Sequence, residues 1–374
     1  MKNPPHVVDL ARALIAIPSV SNDGNIAIID FIQAWLKEAG FDEIERLDYA
    51  YKGRKPRANL VARKGAGSGG LAFLTHSDTV PGAEEAWPAF EPVVEDGRLY
   101  GRGSCDMKGP LAAVMVAAAA VAANDLEAPL TIAVSADEEI GLYGAKHIVR
   151  HSQLLRDGGP RYGVITEPTR LIPAYGHKGY GYFRIAASGS AAHTSSDAGV
   201  SATFLLAPFL AEMATLNKRF QEEPRFMNQA FDPPTNGFNM IVSDDGQTNV
   251  TAARSECVLT LRAMPDADTE GIVTLIKESA ARHGLEVEMA RVTPPVYTDP
   301  ASHLVQTACA ATGVARAETI PFGTEGFHYL SLMPLVVVGP GDIDVAHTVG
   351  ESVPVAALEQ AVDVYGRMIA ALCR

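Results

Sequence analysis

The sequence predicts an α/β protein of two domains, a mainly parallel α/β domain interrupted by a small ferredoxin-like α+β domain. Three observations lead there. Apolar, β-branched runs alternate with helical patterns as far as Thr166, the arrangement of a mostly parallel sheet covered by helices. Between Tyr180 and Val292 the order changes to β-α-β-β-α-β, which is the ferredoxin-like arrangement. After Pro294–Pro295 the first pattern returns. The outer domain is therefore expected at 1–177 and 295–374, and the inserted domain at 178–294.

In chain order, apolar spacing gives helices at 6–16 and 25–39 and strands at Asn59–Ala62 and Leu71–Thr75. Next come a helix from Leu111, a strand at Leu130–Ser135, a helix near Leu142–Arg150 and a strand at Tyr162–Thr166. Leu111 to Ala123 is Ala-rich and 13 residues long. A membrane span needs roughly 20, so this segment reads as a buried helix. The insert comprises a strand at Tyr180–Ser188, a helix at Val200–Lys218 and strands at Gly237–Val242 and Thr248–Ala263. A helix at Thr269–His283 and a strand at Leu285–Val292 complete it. A helix near His303–Ala311, a strand at Leu335–Val338 and a helix from Val355 finish the outer domain.

The run Gly65-Ala-Gly67-Ser-Gly-Gly70 satisfies G-x-G-x-x-G after a strand. A dinucleotide site needs a helix immediately afterwards, to aim its N-terminus at the pyrophosphate. The next residues, Leu71-Ala-Phe-Leu-Thr, are another strand pattern, so the run reads as a hairpin, and a dinucleotide-dependent oxidoreductase is disfavoured. The balance of 31 Lys+Arg against 44 Asp+Glu, a net charge of −13, gives no sign of a nucleic-acid surface. Cys105, Cys257, Cys309 and Cys373 are scattered without a CxxC pair; they form neither a disulfide framework nor a zinc ribbon and fit a reducing compartment. Met1 to Leu10 carries two prolines and no long apolar core, so no signal peptide is expected. The expected location is cytoplasmic, with no membrane partner.

Five polar clusters stand where apolar strands end: Thr75-His76-Ser77-Asp78, Gly101-Arg-Gly-Ser-Cys-Asp106, Ser135-Ala-Asp-Glu138-Glu139, Thr166-Glu167-Pro168 and Ala346-His347. Ligands of open α/β sheets bind at the carboxyl ends of the strands. A lone acidic residue there is ordinarily a helix cap or a solvated loop residue. Five clusters supplying two His and at least four carboxylates are harder to assign to caps. Imidazole mixed with carboxylate, without thiolate, suits a catalytic zinc or a similar first-row ion. Six such groups, one carboxylate being shared, can hold two ions about 3.5–4 Å apart. In the adjacent pair Glu138-Glu139, one carboxylate can bind metal while its neighbour stays free as a base.

These motifs resemble the zinc exopeptidase and deacylase family that includes acetylornithine deacetylase, succinyl-diaminopimelate desuccinylase, glutamate carboxypeptidases and aminoacylase. The resemblance rests on His76-Ser77-Asp78-Thr-Val-Pro, Gly101-Arg-Gly-Ser-Cys-Asp106-Met-Lys-Gly and Ser135-Ala-Asp-Glu138-Glu139-Ile-Gly, and it extends over essentially the whole chain. It implies a di-zinc catalytic domain, with Co2+ or Mn2+ as substitutes, and an inserted lid that dimerises through 178–294. It further implies that His76 and Glu167 hold one ion, Glu139 and His347 the other, and Asp106 bridges both. By the same resemblance Asp78 fixes the His76 tautomer, Glu138 is the general base, and the peptide bond Asp106–Met107 is cis. In the insert, Gly189-Ser-Ala-Ala-His193 is similar to the segment whose His reaches the partner subunit's site and stabilises the oxyanion. Asn249 and Arg262 match positions that bind the substrate carboxylate. The run after His193 departs from the family by lacking a proline.

The runs Gly323-Thr324-Glu325-Gly and Gly339-Pro-Gly-Asp-Ile-Asp-Val-Ala-His347 are most similar to the acetylornithine deacetylase branch, and they add Thr324 and Glu325 as substrate-binding candidates. The desuccinylase has paired arginines where this chain reads Gly176-His177-Lys178-Gly179. A succinyl carboxylate favours such a bidentate arginine, so a small uncharged acyl group or a peptide-like amide is expected. The expected reaction is hydrolysis of the amide bond of an N-acyl amino acid. A carboxypeptidase or dipeptidase, a desuccinylase-like enzyme and a non-catalytic binding relative are the alternatives.

Overall fold

A computed structural model of the chain describes residues 5–50, 53–265 and 267–374; the first four residues of the N-terminal stretch expected to lack a signal peptide lie outside them. The chain forms two compact units. The first comprises Met1–Gly176, Thr298–Glu318 and Thr324–Arg374, and the second His177–Tyr297 with Thr319–Gly323.

The first unit is built on a mixed sheet. Its strands run in the order Glu43–Tyr49, Arg57–Lys64, Leu130–Ser135, Leu71–His76, Tyr162–Ile165, Leu335–Val337 and Ala174–His177. The four strands from Leu130–Ser135 to Leu335–Val337 are mutually parallel. The pairings on either side of them are antiparallel. The parallel strands are almost wholly buried, which is why they read as continuous apolar runs instead of alternating ones. Helix Lys108–Ala119 has all twelve residues buried, the fate of a helix that is apolar all round. It packs against Val7–Ile15 and Val355–Cys373, which turn one apolar stripe each to the same core. Among the described residues, no helix is long and apolar enough to cross a membrane.

One expectation is overturned here. Gly65–Gly70 does not close a hairpin, because Leu130–Ser135 lies between Arg57–Lys64 and Leu71–His76 and pairs with both. The glycines instead carry the chain across the end of that intervening strand. Gly70 has φ +75°, and a Cβ there would lie 2.1 Å from the Pro129 carbonyl oxygen, so only glycine fits.

The second unit is a four-stranded antiparallel sheet in the order Gly237–Asp244, Arg254–Arg262, Tyr180–Ser188, Glu286–Thr293. Helices Ala202–Glu222 and Thr269–Arg282 pack on it through a core that includes Phe183, Phe209, Phe220, Leu259 and Ile276. Order and connections are ferredoxin-like. The strand expected over Thr248–Ala263 starts only at Arg254. Before it the chain folds into a turn closed by hydrogen bonds between Gln247 and Val250, so Asn249 sits on a loop. The two edges differ. Glu286–Thr293 carries Glu286, Glu288 and Arg291 and a register shift, features that discourage pairing with another chain. Gly237–Asp244 exposes Ile241 and Val242.

Candidate metal centre

Because the central strands of the first unit are parallel, their carboxyl ends share one edge of the sheet. That edge carries His76, the last residue of its strand, together with the segments that begin just past Ser135, Ile165 and Val337. Asp106 arrives on the loop between strand Arg98–Tyr100 and helix Lys108–Ala119. The peptide bond after it, Asp106–Met107, is cis, the state the resemblance implies. Gly341 in the neighbouring loop has φ +94°, and a Cβ on it would meet Cys105 Sγ at 2.6 Å, so glycine is required for this close approach.

The side chains converge around Asp106. His76 Nε2 lies 3.1 Å from Asp106 Oδ1 and 3.6 Å from Glu167 Oε1. His347 Nε2 lies 3.2 Å from Asp106 Oδ2 and 3.0 Å from Glu139 Oε2. The two carboxylate oxygens of Asp106 thus face two different imidazoles, each with a second carboxylate at hand. His76, Asp106 and Glu139 alone bring one ligand atom apiece to within 4.8 Å of one another. Glu138 stands beside Glu139 in the same loop, directly after Asp137, whose φ is +57°. Asp137 is clamped by Arg57 (2.5 Å) and by the Tyr49 hydroxyl (3.0 Å).

The electrostatics of the centre are those of a cation sink. Asp106, Glu138, Glu139 and Glu167 crowd together against two imidazoles. Withdrawal from water raises Glu138 well above its usual range; His76 opposes this, and Glu167, Glu139 and Asp106 add to it. Glu167 and Glu139 are raised in the same way. Burial would also raise Asp106, but its hydrogen bonds with His347 and His76 outweigh that and hold it below its ordinary range. His347 is raised to about 10, first by Asp106 and then by Glu139. A divalent cation would neutralise this crowd of carboxylates. Buried carboxylates in such a group persist only when paired or metal-bound, so the donor set fits metal ions.

Asp78 is placed differently from expectation. His76 Nδ1 donates to the backbone carbonyl of Asp78 at 3.0 Å, while the Asp78 carboxylate stands 3.6 Å away. The carbonyl, which can only accept, is what leaves Nε2 free to face Asp106. The Asp78 carboxylate instead accepts from Ser21 Oγ (2.7 Å) and from the amides of Glu138 (3.2 Å) and Glu139 (3.4 Å). It therefore ties the His76 loop to the Glu138-Glu139 loop. Thr324 and Glu325, expected to touch substrate, are enclosed, 1% and 0% exposed. Glu325 Oε2 accepts from Ser135 Oγ at 2.5 Å, and burial lifts its carboxyl to about 7. Thr324 Oγ1 accepts from the Gly326 amide, and Glu325 lies within electrostatic reach of His76 and Glu167. Glu351 and Arg57, neither singled out from the sequence, hold the loops that carry Asp106 and Glu138; only contacts far apart in sequence reveal them.

In the second unit, His193 is exposed on a loop and bridges to Val250, while the Thr194 amide donates to the Asn249 carbonyl. His193 and Asn249 are therefore neighbours. The Ser195 amide donates to His193 Nδ1 at 3.2 Å, so the ring proton sits on Nε2. Arg262 is exposed at the far end of strand Arg254–Arg262, its guanidinium 4.6 Å from the Tyr180 ring centre.

Residues 72–371 match peptidase family M20/M25/M40. An acetylornithine deacetylase of Myxococcus xanthus is 35% identical over 374 residues, covering 96% of each chain. Among solved structures, a tripeptidase of Staphylococcus aureus superimposes with a TM-score of 0.77 at 20% identity over 98% of both chains. A Bacillus subtilis peptidase of the M20 family, described as dinuclear metal binding, gives 0.68 at 17% identity over 98% of this chain and 97% of that one. These two structures establish the fold. The chain belongs to peptidase family M20/M25/M40 and is a hydrolase of the metallopeptidase class.

Proposed function

We propose, with that membership as premise, that the protein removes the acyl group from an N-acyl amino acid by hydrolysing its amide bond, in the manner named for the Myxococcus xanthus relative. The observation that carries the reading is the division of Asp106, Oδ1 toward His76 and Glu167 and Oδ2 toward His347 and Glu139. His76, Glu167 and Asp106 would hold one zinc ion, and Asp106, Glu139 and His347 a second, with Co2+ or Mn2+ as substitutes. The dinuclear Bacillus subtilis relative supports that count. Bound metal lowers the pKa of water and polarises the scissile carbonyl. Glu138, assigned to neither ion, takes the proton of the attacking water and passes it to the leaving nitrogen. Its raised proton affinity suits a group that must hold a proton between the two transfers.

A small uncharged acyl group is favoured over succinyl because Lys178, in the segment where the desuccinylase has arginines, is already committed. Its Nζ donates to the carbonyls of Pro233 and Thr235, both at 2.8 Å. Arg262 supplies a cation for the amino-acid carboxylate, with Asn249 as a further polar contact. These two residues do not meet within one chain. Along strand Arg254–Arg262, Arg262 is eight residues from the end beside the His193 loop, roughly 27 Å in extended backbone. A small ligand cannot touch both in one subunit. We therefore place His193 and Asn249 in the partner's site of a homodimer, joined through the edge Gly237–Asp244, whose one charged residue is the terminal Asp244. Ile241 and Phe204 of this unit are 60% and 82% exposed, which supports such pairing. His193 Nε2–H then donates to the carbonyl oxygen as negative charge develops there. The four cysteines are free and buried, consistent with a cytoplasmic location.

The test is a screen of N-acyl amino acids and dipeptides against zinc-loaded and chelated protein. N-acetylated amino acids should be cleaved fastest. Chelation should abolish turnover, and Zn2+ or Co2+ should restore it; full turnover by metal-free protein would defeat the reading.

A further inference from the structure

Glu351 is neither a candidate ligand nor the proposed base, yet its carboxylate accepts from four neighbouring residues, Arg102, Gly103, Cys105 and Asp106. It is fully buried and stands immediately before strand Ser352–Pro354. Oε1 accepts the amide N–H of Cys105 (2.8 Å), of Asp106 (3.0 Å) and of Gly103 (3.1 Å). Oε2 takes Gly103 as well (3.1 Å) and Arg102 Nη1 at 2.6 Å. The backbone carbonyl of Glu351 accepts from Gly101. One side chain thus gathers the amides of a loop that forms no helix or strand and so has no ladder of its own to satisfy them. The last amide in the set belongs to Asp106, whose side chain faces both imidazoles.

The same carboxylate is also tied to the other end of the centre. Glu351 comes four residues after His347, and His347 sits at φ +62°, a region that non-glycine residues occupy only when the surroundings hold them. A shift of Glu351 therefore moves the Asp106 loop through its amides and the His347 segment through the chain itself. His76 ends a buried central strand and Glu167 comes just after another, so neither depends on this anchor.

Resting on the two-ion reading of the centre, we propose that Glu351 is a positioning residue for the ion held by Asp106, Glu139 and His347. It is an anionic clamp that fixes the bridging aspartate and the His347 segment to one another. A carboxylate is required because every atom facing the loop is a donor. A glutamine would turn its NH2 toward Arg102 and Gly103, donor against donor.

The experiment is a Co2+ titration of metal-free protein, monitored by visible absorption and calorimetry, for wild type, Glu351→Gln and His347→Gln. His347→Gln identifies the step that belongs to its ion. Glu351→Gln should weaken that step by about 10–100-fold, the range expected for partners that orient metal ligands, and change its absorption band, while the other step, which shares only Asp106 with it, weakens less. Equal weakening of both steps, or neither, overturns the clamp. Should Glu351→Gln fail to fold, Glu351→Asp keeps the charge but is too short to reach all three amides, and it must show the same selective loss. Wild type that takes up fewer than two ions defeats the two-ion reading itself. Two ions in wild type with unchanged steps in the variant defeat the clamp alone.

Discussion

The two units hold their polar chemistry in opposite ways. In the first, His76, Asp106 and Glu167 are all but sealed from solvent, and each has its partner within the unit. In the second, His193, Asn249 and Arg262 are exposed and, among the described residues, take no part in a comparable cluster. Charges withdrawn from water survive only when compensated on the spot, so a buried site must be complete in itself and preorganised. Exposed groups on a loop or strand end carry no such requirement, and their working geometry is supplied by whatever docks against them.

Substitutions can break this contrast. The largest effect is expected within the buried set. Glu138→Gln keeps the size of the side chain and removes the proposed base, so kcat should fall by roughly 10²–10⁴, with metal content by elemental analysis near wild type. Loss of metal in Glu138→Gln and its retention in Glu139→Gln would reverse the two roles. Next comes the exposed set. His193→Ala should fold, keep its metal and lose about 10²–10³ in kcat, the usual cost of removing one oxyanion donor. Its activity should return in part on mixing with Glu138→Gln, because a mixed dimer has one site with both groups intact. A fully active monomer would end the trans role of His193.

The smallest effect sharpens the contrast without mutation. In metal-free protein His347 is raised to about 10 from its ordinary 6.5, first by Asp106 and Glu139, and Glu138, Glu139 and Glu167 are raised from 4.5, chiefly by burial. Each holds a proton in the folded state that the unfolded chain gives up, so the stability they contribute is complete below the unfolded values and drains away as pH rises through the folded ones. Asp106, held below 3.8, runs the other way, losing its contribution only under strong acid. The Tm of metal-free protein should fall between about pH 5 and pH 9, and the rise in Tm on adding Zn2+ should grow over the same interval. Among its described residues the second unit has no such cluster to respond, so equal metal effects at both ends of the range would count against a buried carboxylate centre.

The strand-end clusters were legible because a polar run after an apolar strand stands out in one dimension. His76, Asp106, Glu139, Glu167 and His347 could be gathered from that pattern and from the family resemblance together. Pairing between distant strands could not. The Gly65–Gly70 run looked like a hairpin because sequence shows neighbours in the chain, whereas Leu130–Ser135 enters from 60 residues later to separate the two strands. Strand Glu43–Tyr49 was missed because it is a half-exposed edge with mixed charges and no clean alternation. Glu351 and Arg57 left no local trace at all, since the bonds by which they hold the Asp106 loop and Asp137 span 80 or more residues. The Asp78 residue was found, but not which of its oxygens does the work.

The candidate ligands are drawn from almost the whole length of the chain, and His347 comes last among its 374 residues. During synthesis, His76, Asp106, Glu139 and Glu167 are all made before the inserted unit begins, but one imidazole and the Glu351 carboxylate are still missing. A chain that stops short of residue 347 keeps most of the carboxylates and only one of the two histidines. On the two-ion proposal, uptake of the second ion would therefore report that the chain has been made at least as far as His347.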